Sequence, residues 1–379
     1  MASIPLSEQA RRISSSLHEP DWLLQKRLEA VKLLEKRNGT AEISGSIRRG
    51  KLSVKSKCEG GAVALTIPQA LSKGNSLQEQ FGKPFSGREP DAYLLSFALF
   101  TDAAVFAVNS GEPARIFAEI TGKPPEYFAV FFLFADQSDA SVYFGKRLAG
   151  SSNDCLGVVV GANANVEFCN LQQNGAKADS ESGVFAQLGE NSQLKFLNSN
   201  LGGRKKHEQV AFLQDGRGSK CWHFEASLVK GAQKIRKDSD HLHVAPDTYS
   251  RSIFKYATAG TSRVEVNGNV TIEQSAPGSD THLLAKSLLL SKNSVSHIVP
   301  QLFVRNAKVM AGHGSSMMPI DDEELFYLRS RGIGEDESRL LVLQGFLQDL
   351  LGKSEMKAEI LAPLEAEIQK EALGIFPRD

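Results

Sequence analysis

Histidines, cysteines and paired acids are the side chains of this 379-residue sequence best suited to metal or acid–base chemistry. His241 and His243 stand two apart, so on a strand both rings would share one face and could clamp a metal. No carboxylate or third histidine stands at matching spacing, and a place in a core or wall is the expectation for both. His223, between Trp222 and Phe224, reads as a wall residue. His313 differs, because Ala311-Gly312-His313-Gly314-Ser315 surrounds it with glycines that leave the ring accessible. A neutral imidazole can ligate near neutral pH, although by residue type alone His313 reads as a turn histidine. Cys58, Cys155, Cys169 and Cys221 are scattered, without the close pairs of a zinc or iron–sulfur motif. Cys155, before Leu156 and Val158, reads as a small buried hydrophobe. Asp238 and Asp240 would share a strand face, the minimum for two-carboxylate glycoside chemistry, but acidic pairs are also common at turns.

Signatures of nucleotide and acyl chemistry are missing. Gly352-Lys353-Ser354 carries the end of a phosphate loop, but Leu347 stands where its first glycine belongs. A helix precedes it where a strand is needed, so it reads as a helix C-terminus. No Gly-x-Ser-x-Gly elbow is present. Lys and Arg total 44 and so do Asp and Glu, and this balance argues against nucleic acid as a partner. The longest basic run, Arg204-Lys205-Lys206, follows two glycines and reads as a solvated turn. The serines after Arg11 and Arg12 do not form the apolar stretch of a signal peptide, and Asp102 interrupts the most apolar window, which begins at Tyr93. These features predict a soluble, cytoplasmic protein with no membrane partner and reduced thiols.

The elements that must carry these residues fall into three zones: an N-terminal helical region at 1–39, a central region at 40–318 and a C-terminal helical domain at 319–379. A helix starts at Glu19-Pro20-Asp21-Trp22, turns Leu28, Val31 and Leu34 to one face with Lys26, Arg27, Lys32 and Lys36 on the other, and ends at Asn38-Gly39. Near the C-terminus, Asp321 with Glu324 reads as a capping box before Leu325, Phe326 and Leu328, closed by Gly332. A second helix begins at Glu335-Asp336-Glu337 and closes at Gly352. A third covers about 355–373, with Pro363 as a kink or break.

The central zone lacks long helical periodicity. Small polar turns precede alternating residues in Asn163-Ala164-Asn165-Val166-Glu167-Phe168, Asn191-Ser192-Gln193-Leu194-Lys195-Phe196 and Gly218-Ser219-Lys220-Cys221-Trp222. These three recur at about 28 residues. Thr261-Ser262-Arg263-Val264 and Asn293-Ser294-Val295-Ser296 follow at looser intervals. Such repeats predict stacked coils, a parallel β-helix flanked by helical regions, because one coil cannot bury its apolar face alone. A twisted two-sheet sandwich is the alternative.

Residues 285–346 resemble the C-terminal part of the SufB/SufD family of the SUF iron–sulfur cluster assembly system. The residues that carry this are Lys286-Ser287-Leu288-Leu289-Leu290, Pro300-Gln301-Leu302, Gly312-His313-Gly314 and above all Asp321-Asp322-Glu323-Glu324-Leu325-Phe326-Tyr327-Leu328-Arg329-Ser330-Arg331-Gly332-Ile333. His243-Val244-Ala245-Pro246-Asp247-Thr248-Tyr249-Ser250-Arg251 with Lys255, and the helix start at Glu19, are similar too. The resemblance implies a right-handed parallel β-helix between helical regions. It implies a scaffold without catalysis of its own, paired with a SufB-like subunit and bound through its C-terminal helices to SufC-like ABC ATPases that hydrolyse ATP.

SufB-type sequences carry a cysteine shortly before the Leu-Leu strand, where Ala285-Lys286 stands here, and His-Glu where His313-Gly314 stands, so the resemblance is to the SufD type. On that basis His313 is the candidate contact to iron or a nascent cluster at a shared interface. Tyr327, Arg329 and Arg331 are the candidate ATPase contacts. No tightly bound cofactor is expected in the isolated chain. The alternatives are a homodimeric scaffold of the same family and a β-helical carbohydrate-active enzyme.

Overall fold

A computed structural model describes residues 3–39, 42–44, 47, 49–66, 69–70 and 85–376. Residue 40, where the predicted central region begins, and residues 71–84 within it lie outside the described residues. The chain opens with β1 (Ser3–Pro5), α1 (Leu6–Leu17), α2 (Asp21–Asn38) and β2 (Glu42–Ser44), which pairs with β1. Next come β3 (Ser53–Glu59), β4 (Ala62–Thr66) and α3 (Asp91–Leu99). Sixteen strands then alternate between two sheets. One sheet takes β5 (Asp102–Val108), β7 (Tyr127–Phe134), β9 (Ser152–Val160), β11 (Asp179–Leu188), β13 (Lys205–Gln214), β15 (Lys234–His243), β17 (Arg263–Ile272) and β19 (Val295–Val304). The other takes β6 (Ala114–Gly122), β8 (Asp139–Leu148), β10 (Asn165–Asn174), β12 (Gln193–Gly202), β14 (Lys220–Val229), β16 (Tyr249–Thr258), β18 (Asp280–Leu289) and β20 (Met310–Pro319). Three helices follow: α4 (Asp322–Ser330), α5 (Glu335–Ser354) and α6 (Ala358–Leu373).

Every pairing among β5 to β20 is parallel, so the chain is a β-solenoid of two-strand coils and not a sandwich. Strand alternation sends every second side chain inward, and in-register stacking puts like positions of successive coils in one column. Phe106 stacks on Phe132 at 4.7 Å between ring centroids, Phe132 meets Phe168 at 4.8 Å and Phe168 meets Phe196 at 5.3 Å, forming an aromatic ladder inside the solenoid. Three of the polar turns read from the sequence, at Asn163, Asn191 and Gly218, form one corner of the coil. Gln137, Asn163, Asn191 and Asp247 take positive φ there, in one column with Gly218 and Gly278. Asn and Asp tolerate that conformation, and Gly adopts it without strain. The repeat at 28 residues joins β10 to β12, whereas Arg263 and Val295 pair within the opposite sheet at a spacing of 32. The looser interval arose from mixing strands of two sheets.

The two ends of the solenoid differ. At the first coil, β3 pairs antiparallel with β6 and β4 with β5, closing both sheets. Its outer edge carries Lys55 and Lys57, which discourage pairing with another chain. At the last coil, β19 and β20 each have one neighbouring strand among the described residues.

Helices cover the outer faces. α3, a helix within the central zone that the periodicity did not reveal, packs on β9 and β11. Gly183 makes room for it, since a Cβ there would fall on the backbone of Tyr93. α1, also absent from the expected helices, packs with α2. On the opposite sheet α5 and α6 bury Leu343, Leu347, Ile360 and Leu364 against Leu171, Leu197 and Phe224. α5 passes through Gly352 and ends at Ser354, so Gly352-Lys353-Ser354 is helical and the left-handed cap is Glu355. Pro363 lies inside a single helix and does not break it.

Lys26 and Arg27, expected on a solvated helix face, are buried. The guanidinium of Arg27 donates from Nε to Glu19 Oε2 at 2.8 Å, to the carbonyl of Ala98 at 3.0 Å and to that of Phe100 at 3.1 Å. It thereby joins α2 to the C-terminal end of α3, where a cation complements the helix dipole. Arg27→Met strands the Glu19 carboxylate and these carbonyls in the interior and should cost about 3–5 kcal/mol in urea unfolding. A change below about 0.5 kcal/mol, the scale of a surface substitution, would show that the contact does not fasten the helices.

Candidate functional site

The inward columns of the solenoid end at an open mouth. In β18, Thr281, Leu283, Ala285 and Ser287 face inward and are buried. By register Ala311, His313, Ser315 and Met317 of β20 stand over them. On the facing sheet Ile298, Pro300 and Leu302 of β19 continue the columns of Val266, Gly268 and Val270. With no further coil above it among the described residues, His313 is exposed at this mouth. It lies in mid-strand, not in the turn its glycines suggested. Gly312 serves packing, because a Cβ there would lie 2.7 Å from Nδ1 of His282.

Large apolar side chains stand exposed along the rim. Phe303, Val304, Met310, Met317 and Met318 are exposed, with Met310 at 66%. Neither β19 nor β20 contains Lys, Arg, Asp or Glu, in contrast to the lysine-bearing edge at the first coil. Such an edge is a template for strand addition. Among the described residues no three His, Cys, Asp or Glu side chains are grouped so as to hold a metal ion. Cys155, Cys169 and Cys221 are buried, and burial pushes their thiols well up, away from the thiolate form a metal needs.

Tyr327 and Arg329 lie on α4, and Arg331 caps it. All three are exposed, with the Arg331 guanidinium 5.3 Å from the Tyr327 ring centre and Arg329 3.7 Å from Glu335. Phe326 is 75% exposed, so only Leu325 of the apolar Leu325-Phe326-Leu328 set is buried. Adjacent apolar residues on a helix point in different directions, which was the available signal. A cavity of about 430 Å³ beside α4 is lined by Met318, Leu328, Leu341 and Phe346 among others.

His223, His241 and His243 lie inside the solenoid as wall and core residues. Burial depresses all three, with His241 at about 3 and His243 at about 4, so the rings are neutral near pH 7. His243 meets Thr248 Oγ1 at 2.8 Å and Ser250 Oγ at 2.9 Å, and does not form a clamp with His241. Asp238 and Asp240 are engaged by Asn267 and Asn269.

Sequence reasoning missed a charged cluster inside the solenoid. Lys237 donates to Glu208 at 2.9 Å and also bonds Glu225, all three with fully buried side chains. Asn198 donates to both acids, at 2.7 and 2.9 Å. Burial works against ionisation of Glu208, but Lys237 and Lys206 hold its carboxyl far below the ordinary range. Burial lowers Lys206 to about 8. Its inward position corrects the reading of Arg204-Lys205-Lys206 as a solvated turn: Lys205 and Lys206 open β13, and only Arg204 precedes the strand. The signal was alternation, since Lys206, Glu208, Val210 and Phe212 form one inward set.

A family model described as "SUF system FeS cluster assembly, SufBD core domain" matches residues 130–346, more than half of the chain and the stretch from β7 into α5. The chain belongs to the SufBD family. The chain is 31% identical over 196 residues to an iron–sulfur cluster assembly SufBD family protein of Mycobacterium leprae, covering 48% of this chain and 50% of that one. A SufBD family protein of Mycobacterium tuberculosis is 29% identical over 197 residues, covering 48% and 49%. The iron–sulfur cluster assembly protein SufB of Bacillus subtilis is 24% identical over 159 residues, covering 42% and 34%. The chain thus spans about half the length, or less, of the curated relatives it matches. The SufBD match contains the segments at 243–255 and 285–346 that carried the resemblance, whereas the helix start at Glu19 precedes it. Among the described residues no helix is long and apolar enough to cross a membrane.

Two outcomes test the electrostatics of this SufBD solenoid. Lys237→Met leaves buried Glu225 without its cation and Glu208 with Lys206 alone, and should cost about 3–5 kcal/mol, part of it recovered by adding Glu225→Gln. Additive losses in the double variant would mean the cluster is not coupled. On the outer face His207 lies 2.8 Å from Asp238 and 3.3 Å from Glu181, and these bonds raise its pKa to about 9. A raised pKa stabilises the fold fully below the unfolded value of about 6.5, and this contribution fades as pH rises through about 9. Unfolding measured across that window should show the slope in the parent and lose it in His207→Gln.

Proposed function

We propose that this chain is a SufD-type, non-catalytic subunit of the SUF scaffold. It pairs through the edges of β19 and β20 with a SufB-type subunit and contacts a SufC-type ABC ATPase through α4 and α5. Iron or the nascent cluster, as cargo of the machine, meets His313 at the joint. One observation carries this reading: the last coil ends in two uncharged, one-sided strands with His313 at the mouth.

Three further points support it. Edge pairing would cover Phe303, Val304 and Met317, and would surround His313 with side chains of the partner. With no metal-holding group among the described residues, His313 supplies one ligand and the partner must supply the rest, thiolates being the usual choice for a cluster. Ala285, at the position where SufB-type sequences carry cysteine, faces inward two residues from Leu283, which stands under His313. The exposed Phe326 and Tyr327, beside the candidate contacts Arg329 and Arg331, suit a protein partner of α4. ATP hydrolysis falls to that partner, the isolated chain holds no tightly bound cofactor, and the cytoplasm is the proposed site of action.

The same edge could pair with a second copy of this chain, the homodimeric alternative, and co-expression with SufB-type and SufC-type proteins followed by native mass spectrometry separates the two. The expected complex holds one copy of this chain, one SufB-type subunit and two SufC-type subunits. A chain that pairs only with itself would overturn the SufD assignment. Val304→Lys with Met317→Lys should abolish that pairing, because edge contact would bury unpaired ammonium groups. His313→Ala should leave the complex assembled but lower cluster formation about tenfold or more, the scale of losing a metal-site group. Unchanged cluster formation would remove His313 from the site.

A further inference from the structure

A second concave site lies far from the mouth, along the starts of β9, β11, β13, β15 and β17, with a volume of about 850 Å³. In-register stacking places Lys205, Lys234 and Arg263 in a single column at the first position of three successive strands. Adjacent strands are about 4.8 Å apart, so the three charges span on the order of 10 Å. None of the three makes an ion pair or a side-chain hydrogen bond among the described residues. The neighbouring acids are occupied elsewhere. Asp179 accepts from Arg204 Nε at 2.9 Å, Glu181 is 3.3 Å from His207, and Asp238 is held by His207 at 2.8 Å with Arg236 at 3.4 Å.

Like charges directly opposite one another on paired strands are destabilising. Asp179 stands opposite Lys205 in the same column but is bonded to Arg204, and no acid stands opposite Lys234 or Arg263. An anion with several charges in a row would offset this column. A concavity of this size suits a small molecule, whereas a protein partner would need a broad surface. Two ammonium groups and one guanidinium fork suit successive phosphate groups. Glu265 lines the groove beside this column, two residues after Arg263 on the same strand and opposite Arg236. A carboxylate beside a phosphate site accepts hydrogen bonds from ribose hydroxyls in dinucleotide-binding folds.

We propose that this groove binds a nucleotide, with Lys205, Lys234 and Arg263 on its di- or triphosphate and Glu265 on its ribose. The groove opens on the sheet opposite to the one covered by α5 and α6. It is therefore separate from any nucleotide held by an ATPase docked on those helices, and the inference stands or falls independently of the SufD assignment.

Isothermal titration of the full chain alone, at low ionic strength, tests it with ATP, tripolyphosphate and AMP. ATP should saturate at one per chain, bind more tightly than tripolyphosphate and far more tightly than AMP, and weaken as salt is added. Lys234→Gln with Arg263→Gln should weaken ATP about tenfold or more through loss of charge-assisted bonds. The same variant should melt no lower than the parent, since it relieves repulsion, which separates lost binding from lost folding. Lys220→Gln, which removes a cation from the start of a strand in the other sheet, should leave binding unchanged. Absence of saturable binding, or equal weakening by Lys220→Gln, would overturn the site. Tripolyphosphate as tight as ATP would overturn the ribose contact, and tight binding of a polyglutamate peptide that ATP cannot displace would overturn the small-molecule occupant.

Discussion

From the second coil on, each solenoid strand hydrogen-bonds in parallel and in register to the strand one coil before it and, except in the last coil, to the strand one coil after it. A side chain therefore meets its own position repeated above and below, and it must be compatible with both. Apolar columns satisfy this by stacking, as Phe168 does on Phe196 with centroids 5.3 Å apart. A polar corner does so by repeating residues that accept positive φ, such as Asn163 and Asn191. Because one coil cannot bury its face alone, stability passes from coil to coil. The two ends become the places where the fold must either be closed or find a partner.

Charge obeys the same column logic with opposite consequences inside and outside. Inside, an isolated ion would be intolerable, so Lys237, Glu208 and Glu225 share contacts across neighbouring coils, and Asn198 completes them. Outside, His207 bridges Glu181 and Asp238 from the strands on either side of its own. Where cations repeat in one column, as at Lys205, Lys234 and Arg263, the repeat itself concentrates positive charge. Arg27 resolves a different problem: it links two helices through backbone carbonyls that would otherwise end α3 unpaired in the interior.

The open mouth gives His313 its setting. The ring stands on an inward column, but the columns stop there, so it is accessible while its strand is held by β18. The first coil shows the contrasting solution, an antiparallel cover with lysines on its edge. An assembly in which two such mouths meet would place ligands from two chains around one cargo without either chain holding a complete site.

Composition and periodicity by themselves determined the solenoid class, α2, the C-terminal helices and a spacing of 28 residues, because in–out alternation and capping are local properties of the chain. The family was legible too, since the motif from Asp321 to Ile333 is contiguous. Other features depended on which coil lies above which. Arg27 reads as a surface cation on a helix until α3 is laid against it, and α3 has no amphipathic pattern because it is buried nearly all round. His313 reads as a turn residue because flanking glycines look the same in a turn as in a strand that makes room for His282. Lys206, Glu208, Glu225 and Lys237 come from three strands, and no local pattern says that their charges share one interior. Tertiary structure decided these matters because burial, and with it the free energy of a charge, depends on neighbours about a coil apart in sequence but one strand spacing apart in space.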